Sequence, residues 1–468
     1  MKTFLFYDLE TSGLNPAFDQ VMQFAAIRTD ESLNELERHK FHCQLRPDII
    51  PHLSAVLTHR LSPLQAQDDS LYTERECVRY IHALLNQPGT VSVGYNTLGF
   101  DDEFLRFSFF RNLLPPYTHQ FKDKCQRMDL LPIVVMYYLF YPQALSWPSH
   151  QGKTSLKLED LNQQNKWVEG QAHDAMIDVE ATVALAHQLM QYQSMWNYCT
   201  SYFDKQLDQA CFAKWALKDN PALWIHHRLG VDQKYIAPVA YLGQHWHFKN
   251  QLLFVRLDQQ RFDDIKPEDW PDNIWVYKKK WGVPGLLLPY QKSYAQHLSE
   301  ERQQIAQYNW QWIHNNPHLW QQLQKRHLDY KPETPPEADP DSVLYQHGLI
   351  SRHDEQISSQ FHQHRQDLDL QQQLINELST AELRELAWRM LIRNHHNHLP
   401  DKQQSNAWDF FQKQITQPVV DYRRQAKYNL NQARQDWLEQ KANEANLDTQ
   451  QQELLNDYEH FLNNKQRL

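Results

Sequence analysis

Apolar positions along the first 110 residues fall in short runs that polar punctuation cuts to strand or helix length. Phe4-Leu5-Phe6-Tyr7 reads as a short buried strand that carries Asp8-Leu9-Glu10 at its end and stops at the turn residues Thr11-Ser12-Gly13. Residues 21–30 predict a second strand and residues 41–45 a third, an antiparallel meander with short connections. Short helical pieces are expected over 51–66. Over 74–85, Cys77, Val78, Ile81, Leu84 and Leu85 recur at helical period. Residues 91–96 read as a buried strand running into a loop, then a helix through Arg111. A further helix opens in 173–182 and continues through Val183, Leu185, Ala186, Leu189 and Met190. Strands followed by helices in this order make an α/β domain on a mixed sheet.

From about residue 196 the pattern changes. Residues 235–241, 252–257 and 274–277 are strand-like with polar breaks, and a helix is expected over 299–326, giving a small β barrel or sheet flanked by helices. Residues 331–341 are Pro-rich and acidic and read as a linker. The rest is Gln-rich and helical, over 377–393, 406–415, 418–445 and 449–464. The domains expected are therefore α/β over 1–195, α+β over 196–340 and all-α over 341–468.

Composition narrows the class. A chain of 468 residues exceeds one ordinary core, and 41% hydrophobic content with 15 Trp, 22 Tyr and 21 Phe excludes a disordered protein. Five cysteines without CxxC spacing fit free thiols in a reducing compartment. No signal-peptide core and no run of about 18 apolar residues is present, so a soluble cytoplasmic protein is expected. A net charge of −10 argues against non-specific coating of duplex DNA but leaves room for a local basic groove.

The chemistry sits in the acids. Strand side chains alternate, so Asp8 and Glu10 project to one side. Close like charges call for protonation or a cation, and hard oxygen donors suit Mg²⁺ or Mn²⁺ better than zinc. An isolated D-x-E also fits a solvated strand end, and Asp101 beside Asp102 also fits simple helix capping. His173 and Asp178 lie five apart, about 140° around a helix, and become neighbours if His173 lies in the loop before the helix. Asp8, Glu10, Asp101, His173 and Asp178 converging from strand, loop and helix describe a two-metal phosphodiester site, with His173 as general base.

Asp8-Leu9-Glu10, then Asn96 through Phe100-Asp101, then His173 through Asp178, resemble the three motifs of the DEDDh superfamily of 3′→5′ exonucleases. Residues 23–30, Gly94-Tyr95-Asn96 with Phe100-Asp101-Asp102-Glu103, Arg111-Asn112 with Pro116-Tyr117, and residues 172–176 narrow the resemblance to the bacterial exodeoxyribonuclease I family. That resemblance implies an RNase H-like exonuclease domain, an SH3-like second domain and a helical third domain that closes the DNA channel. It also implies processive 3′→5′ degradation of single-stranded DNA to 5′-mononucleotides in repair and recombination, with two Mg²⁺ ions that Mn²⁺ can replace. Asp8 bridges both ions in this reading. Glu10 and Asp178 hold one, Asp101 supports the other, and Glu10 also meets the substrate. Arg106, Tyr117, Phe121, Lys157 and Lys205 match strand-contact positions, although Tyr117 and Phe121 also fit ordinary core packing.

The family's partner is the acidic C-terminal tail of single-stranded DNA-binding protein; a monomer with no membrane association is expected. Some positions depart from the family. Thr11-Ser12-Gly13 stands for its Thr-Phe-Gly, Leu156 stands where an aromatic is expected, and Tyr141 replaces a basic residue before Pro142, while Tyr198 is kept. Lys278-Lys279-Lys280 before Trp281 fits either a solvated strand edge or a strand contact. Two alternatives stay open. One is an exoribonuclease of the same superfamily, disfavoured by the roughly 270 residues beyond the first domain. The other is a non-hydrolytic single-strand-binding scaffold, disfavoured by the intact set of acids.

Overall fold

Alternation along the first strand decides how the N-terminal layers assemble. In β1 (Thr3–Thr11), Phe4 and Phe6 face one core while Leu5, Tyr7 and Leu9 face another. The computed structural model, which describes residues 2–170, 174–266 and 269–467, pairs β1 with β2 (Val21–Thr29) antiparallel and with β4 (Thr90–Gly94) parallel. The strand β3 (Glu35–His42) lies outside β2, and β5 (Gln126–Asp129) outside β4, in the order β3-β2-β1-β4-β5. The sheet is mixed, as expected. Its Leu5 face packs on the helices Glu74–Leu85 and Asp101–Arg111, and its Phe4 face on Ala175–Met190. Thr73 and Glu76 form a reciprocal cap at the start of the first of these helices.

Two strands of this sheet differ from expectation. β3 begins six residues earlier than residue 41 and ends at His42, because an edge strand exposed along half its length tolerates alternating charge. β5 has only Met128 as an apolar residue and carries no readable strand signal.

After a two-residue pair of strands, β6 (Ser149–His150) and β7 (Lys153–Thr154), five strands form a second sheet that is antiparallel throughout. These are β8 (Ala222–Ile225), β9 (Ile236–Gln244), β10 (Gln251–Arg256), β11 (Val276–Lys280) and β12 (Leu286–Pro289), in the order β11-β10-β9-β8-β12. The helix expected over 299–326 is two helices, Glu300–Asn315 and Pro317–Leu328, because Pro317 cannot continue the first. The lysine run is not uniformly solvated. Lys279 is buried, 2.6 Å from Asp208, and donates to the Val283 carbonyl at 2.8 Å.

The acidic linker is also less open than its composition suggests. Asp339 and Asp341 turn inward onto Arg389 and Arg393 of the helix Ala381–His395, both at 2.5 Å. Arg393 also reaches Asp48, which Arg46 approaches at 3.2 Å. Glu377 ends the helix Leu368–Glu377 rather than opening one, and residues 418–429 are not helical. The helix Thr449–Arg467 returns to the N-terminal domain. There Leu454, Leu455, Tyr458 and Phe461 share one core with Met22, Ile49, Ile50, Leu53 and Val56. All five cysteines are free. Among the described residues no helix is long and apolar enough to cross a membrane.

Candidate active site

The parity that sends Phe4 and Phe6 toward the helix Ala175–Met190 continues to Asp8 and Glu10, so both carboxylates emerge beneath that helix. The helix supplies Asp178 from its first turn. One carboxylate oxygen each from Asp8, Glu10 and Asp178 lies within 4.8 Å of the others. Asp101, the first residue of its helix, is 5% exposed and lies outside that tight group, yet its charge acts on both Asp8 and Glu10. The structure therefore brings together four of the five residues singled out for catalysis. His173, the fifth, lies outside the described residues.

Burial and mutual repulsion dominate the electrostatics. Burial, then Asp101, Glu10 and Asp178, push the Asp8 carboxyl well above its usual range. Burial, then Asp178 and Asp101, push Glu10 up to about 9. Burial pushes Asp101 up to about 8, with Asp129 and Asp102 adding to it against the Asp101 and Leu9 amides. Such a set holds protons or a cation. An all-oxygen donor set with no Cys or His among its three close members fits a hard divalent ion.

A second carboxylate positions Asp101. Asp129 accepts the amides of Asn96 at 2.8 Å, Leu98 at 3.1 Å and Leu131 at 3.0 Å. It fixes the loop before Asp101 and caps the helix Leu130–Phe140. Asn96 takes a left-handed conformation at φ 65° to make the turn. Burial pushes the Asp129 carboxyl up to about 6 against those three amides. Asp129 stands outside the motifs that mark the other acids, although an Asp directly before an apolar helical run is a helix-start signal. Asp102 points elsewhere. Arg106 at 2.6 Å, Arg127 at 2.5 Å and His119 at 3.0 Å surround it, and it stays ionised.

On the far side of the Asn96–Gly99 loop opens a cleft of 1010 Å³ between the two sheets. None of the four acids lines it. Tyr117, the 69%-exposed Phe121, Arg106 and Lys205 do. Arg106 lies 5.7 Å over the Tyr117 ring, its charge matched by Asp102 and Glu103. Tyr345, from beyond the linker, donates to Glu103 across the same wall. Lys157 lies apart, exposed and paired with Glu159 at 3.1 Å. Leu156 is buried in the core, and the kept Tyr198 is bonded to Tyr202 at 3.0 Å. The cleft adds His226, His227, Arg228, Lys280 and Trp281, of which the sequence had pointed only to the lysine run and Trp281.

Comparison with known proteins bears on this arrangement. Residues 5–186 match the exonuclease family model. Exodeoxyribonuclease I of Haemophilus influenzae is 37% identical over 262 residues, 55% of this chain and 54% of that protein. Exodeoxyribonuclease I of Escherichia coli is 34% identical over 271 residues, 57% and 55% of the two chains. In sequence the chain thus spans about half the length of the curated relatives it matches. The fold likeness is longer. E. coli exonuclease I in complex with a dA16 oligonucleotide superposes with a TM-score of 0.84 at 24% identity, covering 99% of this chain and 100% of that one. A complex of SSB and exonuclease I with an inhibitor gives 0.83 at 22% identity, covering 99% and 100%. A zinc-bound form of the E. coli enzyme with single-stranded DNA gives 0.83 at 24% identity over the same shares. Residues 5–186 thus carry a likeness to the exonuclease family, and over nearly its whole length the chain has the fold of E. coli exonuclease I.

Proposed function

We propose that this protein is a processive 3′→5′ exonuclease that degrades single-stranded DNA to 5′-mononucleotides and serves DNA repair and recombination. The observation that carries the reading is the meeting of Asp8, Glu10 and Asp178 within 4.8 Å, with Asp101 coupled to them. Asp8, Glu10 and Asp178, supported by Asp101, would hold two divalent ions, Mg²⁺ or Mn²⁺. When bound, such ions lower the pKa of a water nucleophile and stabilise charge on the leaving 3′ oxygen. The chain's own residues supply the rest. Asp129 holds the Asn96–Gly99 loop and with it Asp101. His173 takes the proton of the attacking water, and Glu10 meets the terminal nucleotide.

The strand runs through the cleft, where Phe121 and Tyr117 offer ring faces to bases and Lys205 offers charge to phosphates. Arg106 is tied to two carboxylates and acts chiefly by holding Tyr117, and Lys157 meets the strand outside the cleft. The three domains are taken as residues 1–195, 196–340 and 341–468, the last closing the cleft through Tyr345. The likeness to a structure of SSB with exonuclease I supports the C-terminal tail of single-stranded DNA-binding protein as a partner of a monomeric, cytoplasmic enzyme.

The test is a 5′-labelled single-stranded oligonucleotide with Mg²⁺, beside duplex, RNA and EDTA controls, with an unlabelled trap added after binding. Digestion from the 3′ end that survives the trap is expected. Binding without Mg²⁺-dependent cleavage would favour the scaffold alternative, and preferential RNA cleavage the exoribonuclease.

A further inference from the structure

The acids of β1 are the inner ends of two rows that cross the sheet. Asp8 lies opposite Ala25, and Ala25 opposite Lys40; Glu10 lies opposite Gln23, and Gln23 opposite His42. Directly paired residues present their side chains on one face, so both rows run outward from the acidic cluster beneath the helix Ala175–Met190.

Gln23 is 4% exposed and both ends of its amide are engaged. Its Oε1 accepts the Ala175 N–H at 3.0 Å, and its Nε2 lies 2.7 Å from His42 Nε2. Only the oxygen can accept from Ala175, so the nitrogen donates to His42, whose ring proton must sit on Nδ1. Burial, with Lys40 adding to it, holds the His42 pKa below its ordinary value and keeps that nitrogen an acceptor at neutral pH. One row over, Lys40 Nζ donates to both carboxylate oxygens of Asp174, at 2.9 and 2.8 Å.

Both rows end on the same helical turn. Ala175 is fully buried, and its amide is one of the donors a helix start leaves without an internal partner. Asp174 caps the helix by accepting the Met176 N–H at 2.9 Å, and its carbonyl accepts the Asp178 N–H at 3.1 Å. A displacement of Asp174 or Ala175 is therefore passed to Asp178 through one hydrogen bond.

We propose that Gln23, backed by His42, and Lys40 are positioning residues that hold the first turn of this helix so that Asp178 closes the cation site with Asp8 and Glu10. The inference rests on the metal-site reading above and adds what sets the affinity of that site. Gln23 and Lys40 act on the cluster from the β3 side, away from the strand cleft, so they should govern cation affinity and turnover rather than strand binding.

The test uses the full chain stripped of metal, with Mn²⁺ binding followed by calorimetry and steady-state cleavage of single-stranded DNA measured alongside. Gln23→Leu should weaken Mn²⁺ binding roughly 10- to 100-fold, the range for residues that orient ligands. It should lower kcat with little change in KM. Lys40→Met, at a side chain 37% exposed and hence safe for folding, should act in the same direction, and Lys40→Arg should restore affinity. Wild-type Mn²⁺ affinity in both Gln23→Leu and Lys40→Met overturns the proposal, as does a loss that Lys40→Arg fails to restore. If the wild-type chain itself binds no Mn²⁺, the metal-site reading falls first and this inference with it.

Discussion

Arg393 lies 2.7 Å from Asp48, a pair joined across 345 positions of sequence with side chains 4% and 0% exposed. Asp341 closes on the same guanidinium at 2.5 Å. Burial pushes the Asp48 carboxyl up, but Arg393, Arg46 and Lys427 together hold it well below its usual range. Removing one partner of a buried pair strands the other charge. Arg393→Met should therefore destabilise the protein by about 3–5 kcal/mol, measured by denaturant unfolding. A loss below about 1 kcal/mol, as at an exposed pair, would show that the network does not join the two regions.

The acidic cluster makes the metal-free protein sensitive to base. Glu10, up to about 9, and Asp101, up to about 8, titrate above their unfolded values near 4. The folded state then keeps protons that the unfolded chain has released. Their contribution is complete below about pH 4 and drains away as pH rises through 8 and 9. In EDTA the melting temperature should fall between about pH 5 and pH 9, and Mg²⁺ at about 100 times its Kd should restore about 2.7 kcal/mol. A melting temperature that climbs with pH in EDTA would contradict the shifts.

Asp8→Ala should abolish hydrolysis while leaving single-strand binding largely intact, because none of the acids lines the cleft. Single-turnover cleavage and anisotropy of a labelled oligonucleotide separate the two effects. Full cleavage by this variant would remove Asp8 from the mechanism. His173→Ala should cost about 10²–10⁴ in rate, the range for a lost general base.

Phe121, with 69% of its surface exposed on the cleft wall, has little packing to lose. Phe121→Ala should leave stability within about 0.5 kcal/mol and weaken single-strand binding by about 1–3 kcal/mol. Unchanged affinity would place the strand along another wall.

The acid site was legible because its signals are local. Asp8 and Glu10 sit two apart on a strand whose apolar run is unmistakable, and Asp178 lies on a helix with a clear apolar period. The helix over 74–85 was readable for the same reason. What escaped depends on contacts between distant segments. β5 is placed by its pairing with β4, since Gln126, Arg127 and Asp129 carry no strand pattern. Lys279 looked solvated because the sequence does not announce that Asp208 will meet it. Asp339 and Asp341 read as linker because the arginines that bury them come some fifty residues later. The turn of Gln23 toward Ala175 was equally hidden, being fixed by strand register and a helix 152 positions away.

The core that joins Leu53 and Val56 to Tyr458 and Phe461 has a temporal consequence. During synthesis the N-terminal sheet can assemble early, but the helix Leu53–His59 keeps a bare apolar face until its partner emerges roughly 400 residues later, about 20–80 s at ordinary elongation rates. A nascent chain in that interval is a natural client for chaperones. A message cut short before residue 449 should yield a product that stays one, marked for degradation while Asp8, Glu10 and Asp178 are already in place.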